Sequence, residues 1–315
     1  MSSRILLSVS SVSKRSMKQL KNKAGEIIPF IGLGTFPFQG KVMADMVKSA
    51  VKVGYRLFDT ADDYHGESGI GMAIRNLEQE GIVKRENLFI QTKISDNNAT
   101  ANEPLKAVYF NENSKFMQRH SVEDIVREKV SISLRELKTN YIDSLLIHYP
   151  FPGYYVDVWK AMLKLKDEGV VRYIGVSNFH ERHIETLVKE TGVCPELNEC
   201  YASPISTKQS LIDYCNQHDC MFVTYSPLMD ITAGRIDTEK FQPLLEKYCK
   251  SLAQIILRWN IDRGCLPLPK TKNPSRLVEN FNVFDFSLSQ EEVYLISSLN
   301  CDYQYLVESK ICPGI

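Results

Sequence analysis

Ile142-Asp-Ser-Leu-Leu-Ile-His-Tyr149, then Val156-Asp-Val-Trp-Lys-Ala-Met-Leu-Lys-Leu-Lys166, then Val171-Arg-Tyr-Ile-Gly-Val176 is the stretch on which the fold turns. The outer two runs are nearly continuous in apolar residues, as parallel strands buried on both faces are. The middle run is a helical pattern, and Gly169 falls where that helix should stop. Working outward, the same unit repeats. Strand patterns fall at Ile28–Phe36, Arg56–Ala61, Leu88–Ile94, Glu196–Cys200, Met221–Ser226 and Cys265–Leu268, which with the two above makes eight. Helical patterns separate them. Val42–Val53 gathers Met43, Met46, Val47, Ala50 and Val51 on one face, and Ser121-Val-Glu-Asp reads as a helix start with acids in the first turn. Further helices are expected at His183–Glu190, Ser206–Gln217, Pro243–Cys249 and Ala253–Ile261, with Gly54, Gly192 and Gly264 as stops. Eight alternations predict an α/β fold of the (β/α)8 barrel type; a doubly wound open sheet is the second choice.

The totals agree. The chain has 315 residues, 43% hydrophobic and 24% charged, an ordinary globular mix. Thirty-eight basic residues balance 38 acidic ones, which argues against a nucleic-acid or membrane-surface partner. No apolar run approaches a membrane span. Eight cysteines include no Cys-x-x-Cys pair, and Cys215, His218 and Cys220 match no common zinc spacing, so reduced thiols and no metal are expected. Residues 1–17 read as a disordered tail and 18–315 as one barrel domain with an N-terminal cap segment. The leading localisation is cytoplasmic. Six Lys/Arg precede the first acid, Glu26, which makes organelle import through residues 1–16 the second reading. The polar stretch Ser95–His120 follows a strand end and is too long for an ordinary connection; a lid is expected there.

Barrel chemistry sits at strand C-termini. Those positions hold Asp59 and Thr60, Lys93, His148, Ser177 and Asn178, Glu199, Tyr225 and Ser226, and Lys270 and Thr271, with Tyr64 in the loop after Asp59. Each alone has a structural explanation: a snorkelling lysine, a helix-capping aspartate, a core histidine. Converging on one mouth, they read as chemistry. A buried ammonium needs a carboxylate, which Asp59 can supply. The same ammonium beside Tyr64 would lower the phenol's pKa from about 10 toward the working range. Such a phenol can protonate a carbonyl oxygen that a neutral His148 orients. Gly69-Ile-Gly71-Met-Ala-Ile74 nearly matches a dinucleotide fingerprint, but its last position is Ile and its place is the opening of a barrel helix.

Gly54-Tyr-Arg-Leu-Phe-Asp59-Thr-Ala-Asp-Asp-Tyr64-His-Gly-Glu67, Leu137-Lys-Thr-Asn-Tyr-Ile-Asp143-Ser-Leu-Leu-Ile-His148-Tyr-Pro150, Ile174-Gly-Val-Ser177-Asn178-Phe179, Tyr225-Ser226-Pro227-Leu228 and Leu268-Pro-Lys270-Thr271 with Arg276 and Glu279-Asn280 resemble, in order, the signatures of the aldo-keto reductases. The resemblance spans residues 18–312. It implies a catalytic tetrad of Asp59, Tyr64, Lys93 and His148, with NADPH/NADP+ across the mouth. Ser177, Asn178 and Glu199 would meet its nicotinamide carboxamide and Tyr225 would stack under the ring, with Thr35, Ser226 and Leu228 as further cofactor contacts. Lys270, Thr271 and Arg276 would hold the 2′-phosphate, and Glu279 and Asn280 the adenine. Two cations at a helix start, Asn273-Pro274-Ser275, suit a phosphate on independent grounds.

Departures from the pattern bear on the pocket. Glu199 stands where the family usually has Gln; a carboxylate there would favour the cationic oxidised ring. Phe36 and Tyr149 replace common tryptophans, and Ser95 stands where an aromatic is common. Phe36, His148, Tyr149 and Phe151 are the expected pocket walls. The loop Met229–Thr238 is short, and Cys301–Ile315 should close the remaining side. The expected partner is a small-molecule carbonyl substrate, and the expected state a monomer or weak homo-oligomer. Two other readings remain: a cofactor-holding regulatory barrel with little turnover, and a metal hydrolase built on His148 and Asp143.

Overall fold

The computed structural model describes residues 19–96 and 117–305. Its sheet has eight strands in sequential order, with every neighbouring pair parallel. They are β1 (Gly32–Gly34), β2 (Leu57–Asp59), β3 (Phe89–Ile94), β4 (Ile142–Ile147), β5 (Val171–Ser177), β6 (Leu197–Tyr201), β7 (Met221–Tyr225) and β8 (Leu266–Leu268). Helices α1 (Gly40–Val53), α2 (Glu67–Gln79), α3 (Val122–Leu137), α4 (Tyr155–Asp167), α5 (Glu181–Thr191) and α6 (Gln209–Gln217) follow the first six strands in turn. Three helices, α7 (Met229–Thr232), α8 (Gln242–Tyr248) and α9 (Leu252–Asp262), fill the β7–β8 connection; α10 (Pro274–Phe281) and α11 (Gln290–Ser297) come after β8. The open-sheet alternative fails at the seam, where Gly34 N donates to Pro269 O at 3.1 Å and brings β1 to the end of β8. Gly32 permits this approach: a Cβ there would sit 2.3 Å from Leu57 Cδ2 and 2.5 Å from Leu268 Cδ2.

Alternation in each strand divides the core in two. Leu57, Phe89, Leu146, Leu197, Met221, Val223, Leu266 and Leu268 fill the barrel axis. Leu20 and Ile28 plug its lower end from a short antiparallel bridge, Lys21 to Ile27, which is the cap segment. Ile28 and Phe30 therefore belong to the plug rather than to β1, which is shorter than its apolar pattern suggests. The opposite strand faces meet the helices, as Ile90 meets Ala50 and Ile74. Each fully buried aliphatic or aromatic side chain here contributes about 1.5–3 kcal/mol, so apolar periodicity sets the architecture.

Local signals behave as read. Ser121 caps α3 and forms a capping box with Asp124. Gly69 and Gly71 lie inside α2, where a Cβ on Gly71 would meet Glu136 O at 2.3 Å. Those glycines serve helix packing, not a phosphate. Most of the expected lid, residues 97–116, lies outside the described residues, as do the tail 1–17 and residues 306–315. Among the described residues, no helix is long and apolar enough to cross a membrane.

Candidate active site

The period of two that builds the axis also builds the site. Two residues past interior Leu57, Leu146, Leu197 and Val223 come Asp59, His148, Glu199 and Tyr225; Lys93 stands two past Gln91. Each strand thus lifts one polar group to the same C-terminal mouth. Tyr64 arrives separately, on a single 3-10 turn, Asp62–Tyr64, whose end is fixed by His65 at φ 55°.

Lys93 is fully buried. Its Nζ lies 2.5 Å from Asp59 Oδ1 and 3.3 Å from Glu199 Oε1, and donates to Thr60 O at 3.0 Å. Burial disfavours its charge, but the Asp59 and Glu199 carboxyls outweigh burial and hold the ammonium above its ordinary value. Gln91 Nε2 donates to Asp59 Oδ1 at 2.9 Å and to Glu199 Oε2 at 2.7 Å. Burial first, and the Asp59 charge second, push the Glu199 carboxyl well above the carboxylate range. Glu199 therefore favours its protonated form beside the Lys93–Asp59 pair.

Tyr64 OH lies 3.5 Å from His148 Nε2, and Lys93 Nζ stands 5.3 Å from the Tyr64 ring centre. The four tetrad residues do converge. The expected acidified phenol needs correction. Burial first, then the carboxyls of Asp59, Glu199 and Asp63, raise Tyr64 well above 10, and the nearby Lys93 ammonium is already paired with Asp59. The phenol therefore favours its protonated form, on a half-buried ring. His148 is held well below the ordinary histidine value by burial and by Lys93, so its ring is neutral as expected. Its Nδ1 lies 2.6 Å from Ser95 Oγ.

The other expected residues divide by what engages them. Asn178, at φ 62°, donates to His148 O at 3.0 Å and accepts from Tyr225 OH at 2.9 Å. Ser177 Oγ donates to Glu199 O, and Thr35 Oγ1 to Asp59 O at 2.7 Å. These polar atoms frame the mouth. Ser226, at φ 51°, and Leu228 are half-buried on the loop that follows Tyr225. Glu199 turns toward Lys93 and Gln91. Lys270 and Arg276 are exposed, as is Lys272 between them, and none has an ion-pair partner among the described residues; Thr271 and Glu279 are half-buried, Asn280 buried. Three free cations at the start of α10, which Asn273 caps, make a donor set that fits a phosphate-bearing dinucleotide. Phe36 is 53% exposed and packs 5.0 Å from Tyr64; Tyr149 stacks on His148 at 4.5 Å. Phe151, expected as a wall, is 2% exposed and packs with Ile94, Ile125 and Trp159 in the core. Its carbonyl accepts from Tyr154 N–H and Tyr155 N–H in the turn into α4.

Asp143 lies at the other end of β4 from His148, about 16 Å along a strand, and is bound by Arg85 and Arg172. The hydrolase pairing therefore does not form. Among the described residues, no three His, Cys, Asp or Glu side chains gather as a metal site. Gln91 and the Asp62-Asp63 pair belong to the site but escaped the reading of residue types, and Ser95, read there only as a pocket position, also meets His148. Gln91 was legible as an inward position of β3; Asp62 and Asp63 sat in plain view between Asp59 and Tyr64, but their direction depends on the 3-10 turn.

Comparison with known proteins completes the picture. A sequence model described as the Aldo/keto reductase family matches residues 31–300. Methylglyoxal reductase DkgA of Escherichia coli O157:H7 is 35% identical over 283 residues, covering 89% of this chain and 93% of that protein. Glyoxal reductase of Bacillus subtilis is 37% identical over 279 residues, covering 88% and 91%. A Bombyx mori aldo-keto reductase, solved in complex with NADP, superposes with a TM-score of 0.77 at 29% identity, covering 93% of this chain and 95% of that one. With the barrel, the strand-end groups and these likenesses together, the chain belongs to the aldo/keto reductase family of carbonyl-reducing oxidoreductases.

Proposed function

We propose that this protein is an NADPH-dependent carbonyl reductase, with Tyr64 as proton donor, acting on small aldehydes and α-oxoaldehydes. The observation that carries the reading is the convergence of Tyr64 OH, His148 Nε2 and Lys93 Nζ within one buried mouth, beside exposed cations fit for a dinucleotide phosphate. When bound, NADPH supplies the hydride. Lys270 and Arg276 bind its phosphate, and Ser177, Asn178 and Tyr225 frame the mouth where its ring would lie. Tyr64 gives its proton to the substrate oxygen. Lys93, locked to Asp59, stabilises the phenolate left behind. His148 holds the oxygen in reach. All four groups come from one chain, so a monomer suffices. The names of the glyoxal and methylglyoxal reductases support an α-oxoaldehyde as the first substrate to try.

The test is NADPH oxidation over a panel of carbonyls, with Tyr64→Phe alongside. Loss of the proton donor should lower turnover by about 10²–10⁴-fold while cofactor fluorescence still titrates. Wild-type turnover in Tyr64→Phe overturns the reading.

A further inference from the structure

The Lys93 cluster holds one more acid than a single ammonium needs, and carbonyl reduction gives that acid no work. Lys93 Nζ lies 2.5 Å from Asp59 Oδ1, 3.3 Å from Glu199 Oε1 and 5.3 Å from the Tyr64 ring centre. One cation thus stands within reach of two carboxyls and of the phenol. Gln91 Nε2 donates to both acids, to Asp59 Oδ1 at 2.9 Å and to Glu199 Oε2 at 2.7 Å, and so fixes them on either side of one amide. The Lys93 and Glu199 side chains are 0% and 2% exposed. Water screens little there, so a charge gained or lost on Glu199 is felt strongly by its neighbours.

We propose that Glu199 is a positioning residue that governs how far the Lys93 ammonium supports Tyr64. With Glu199 protonated, one carboxylate shares the ammonium, which stays available to steady the Tyr64 phenolate left by proton transfer. With Glu199 ionised, two carboxylates claim the same ammonium, the cluster gains a negative charge near the phenolate, and carbonyl reduction slows. The inference rests on Tyr64 being the donor. It adds no step to the reaction. Glu199 exchanges its one proton with solvent, as an equilibrium set before turnover, and Tyr64 remains the group that protonates the substrate oxygen.

The surrounding charges give the effect its sign. Burial, then the Asp59 charge, raise the Glu199 carboxyl above the carboxylate range, against the pull of Lys93. Its charge, where present, raises the Tyr64 phenol, after burial and Asp59. The support is therefore present at low pH and lost as pH rises through the raised Glu199 value. The other groups around the pair are pushed away from the neutral range. Burial raises Tyr149 beyond β4, Cys200 on β6 and Tyr225 on β7, and lowers His148 on β4. Against burial, Asp59 on β2 and Glu199 hold the Lys93 ammonium up. Asp63, 3.6 Å from His148 Nδ1, is pushed by burial and the Asp62 charge only to about 6, so it ionises at the acid end of the window.

The test compares the shapes of pH profiles. With NADPH saturating, kcat is followed from pH 6 to pH 10 for the wild-type chain and for Glu199→Gln, which keeps the shape and cannot ionise. Alkaline losses common to both chains cancel in the ratio. Whatever the absolute rate of the variant, the wild-type/variant ratio should fall by about tenfold across the range, the equivalent of one unit in the acidity of Tyr64. Infrared difference spectra of the full chain over the same range, without substrate, should show a protonated-carboxyl band that fades as pH rises and that Glu199→Gln lacks. A ratio that stays constant with pH overturns the proposal, and so do spectra that are the same in both chains. Full turnover in Tyr64→Phe would defeat the donor assignment, and it is told apart from failure of the Glu199 proposal because the carboxyl band is read without turnover.

Discussion

The barrel carries two buried ion clusters, one at each end, and they are built in opposite proportions. At the lower end one carboxylate, Asp143, serves two arginines, each at 2.7 Å. Ile90 N–H adds a bond at 3.0 Å. The spare guanidinium N–H groups reach Leu88 O, Tyr141 O and Asn22 O, so every partner is engaged. At the mouth one ammonium, Lys93, serves two carboxyls, and Gln91 Oε1 and Thr60 Oγ1 are buried without hydrogen-bond partners among the described residues. Arginine cannot lose its proton under ordinary conditions; lysine, glutamic acid and tyrosine can. One cluster is a fixed brace between the cap, β4 and the turn before β3. The other is a set of groups whose protons move.

That contrast can be broken by experiment. Asp143→Asn should leave two buried guanidinium charges underpaired and cost roughly 3–5 kcal/mol of stability, read as a lower urea midpoint, with kcat unchanged in the protein that remains folded. A comparable loss of kcat would mean the lower cluster also serves the chemistry. Lys93→Met should do the reverse, reducing turnover by about 10²–10³-fold. Its stability cost should be the smaller of the two, since burial already favours the neutral form of Glu199 and Gln91 still donates to Asp59. A third set of cations, exposed and unpaired at α10, sharpens the point: Arg276→Ala should weaken NADPH by about tenfold and NADH far less in a fluorescence titration. Equal losses would place the 2′-phosphate elsewhere.

The smallest effect tests the charge of Glu199. By residue type, a carboxylate there should favour the oxidised cofactor, and Glu199→Gln should weaken NADP+ relative to NADPH. The structure turns the side chain into the Lys93 cluster, where burial favours the protonated form, nearly isosteric with Gln and equally neutral. Glu199→Gln should change the NADP+/NADPH affinity ratio at pH 7 by less than about twofold. Its folded pKa is raised, so the ionised form is the costly one. Any advantage of Gln in stability therefore appears as pH rises above the unfolded value and grows until the folded group ionises. A stability difference that does not vary with pH would show that Glu199 is ionised in the fold after all.

Much of the site was readable as a pattern. Asp59, His148 and Glu199 each follow an interior aliphatic by two positions, and such a spacing survives any error of a residue or two in strand ends. The phenol's acidity was misread for a physical reason. Residue types place an ammonium near Tyr64 but do not reveal that Asp59 already pairs with it and that burial outweighs its charge. Phe151 was misplaced because it lies four residues past the end of β4, in the turn that leads into α4, where the period of two no longer applies.

Hydrophobic periodicity is a local property of the chain, repeated with each turn or pleat, and it fixed the eightfold alternation, the strand faces and the end of the barrel that bears chemistry. Electrostatic state is not local. Whether Glu199 holds a proton, whether Lys93 is already balanced, and whether Ser95 and Asp63 back onto His148 depend on distances between strands and turns tens of residues apart, and on the water excluded between them; only the folded barrel sets those.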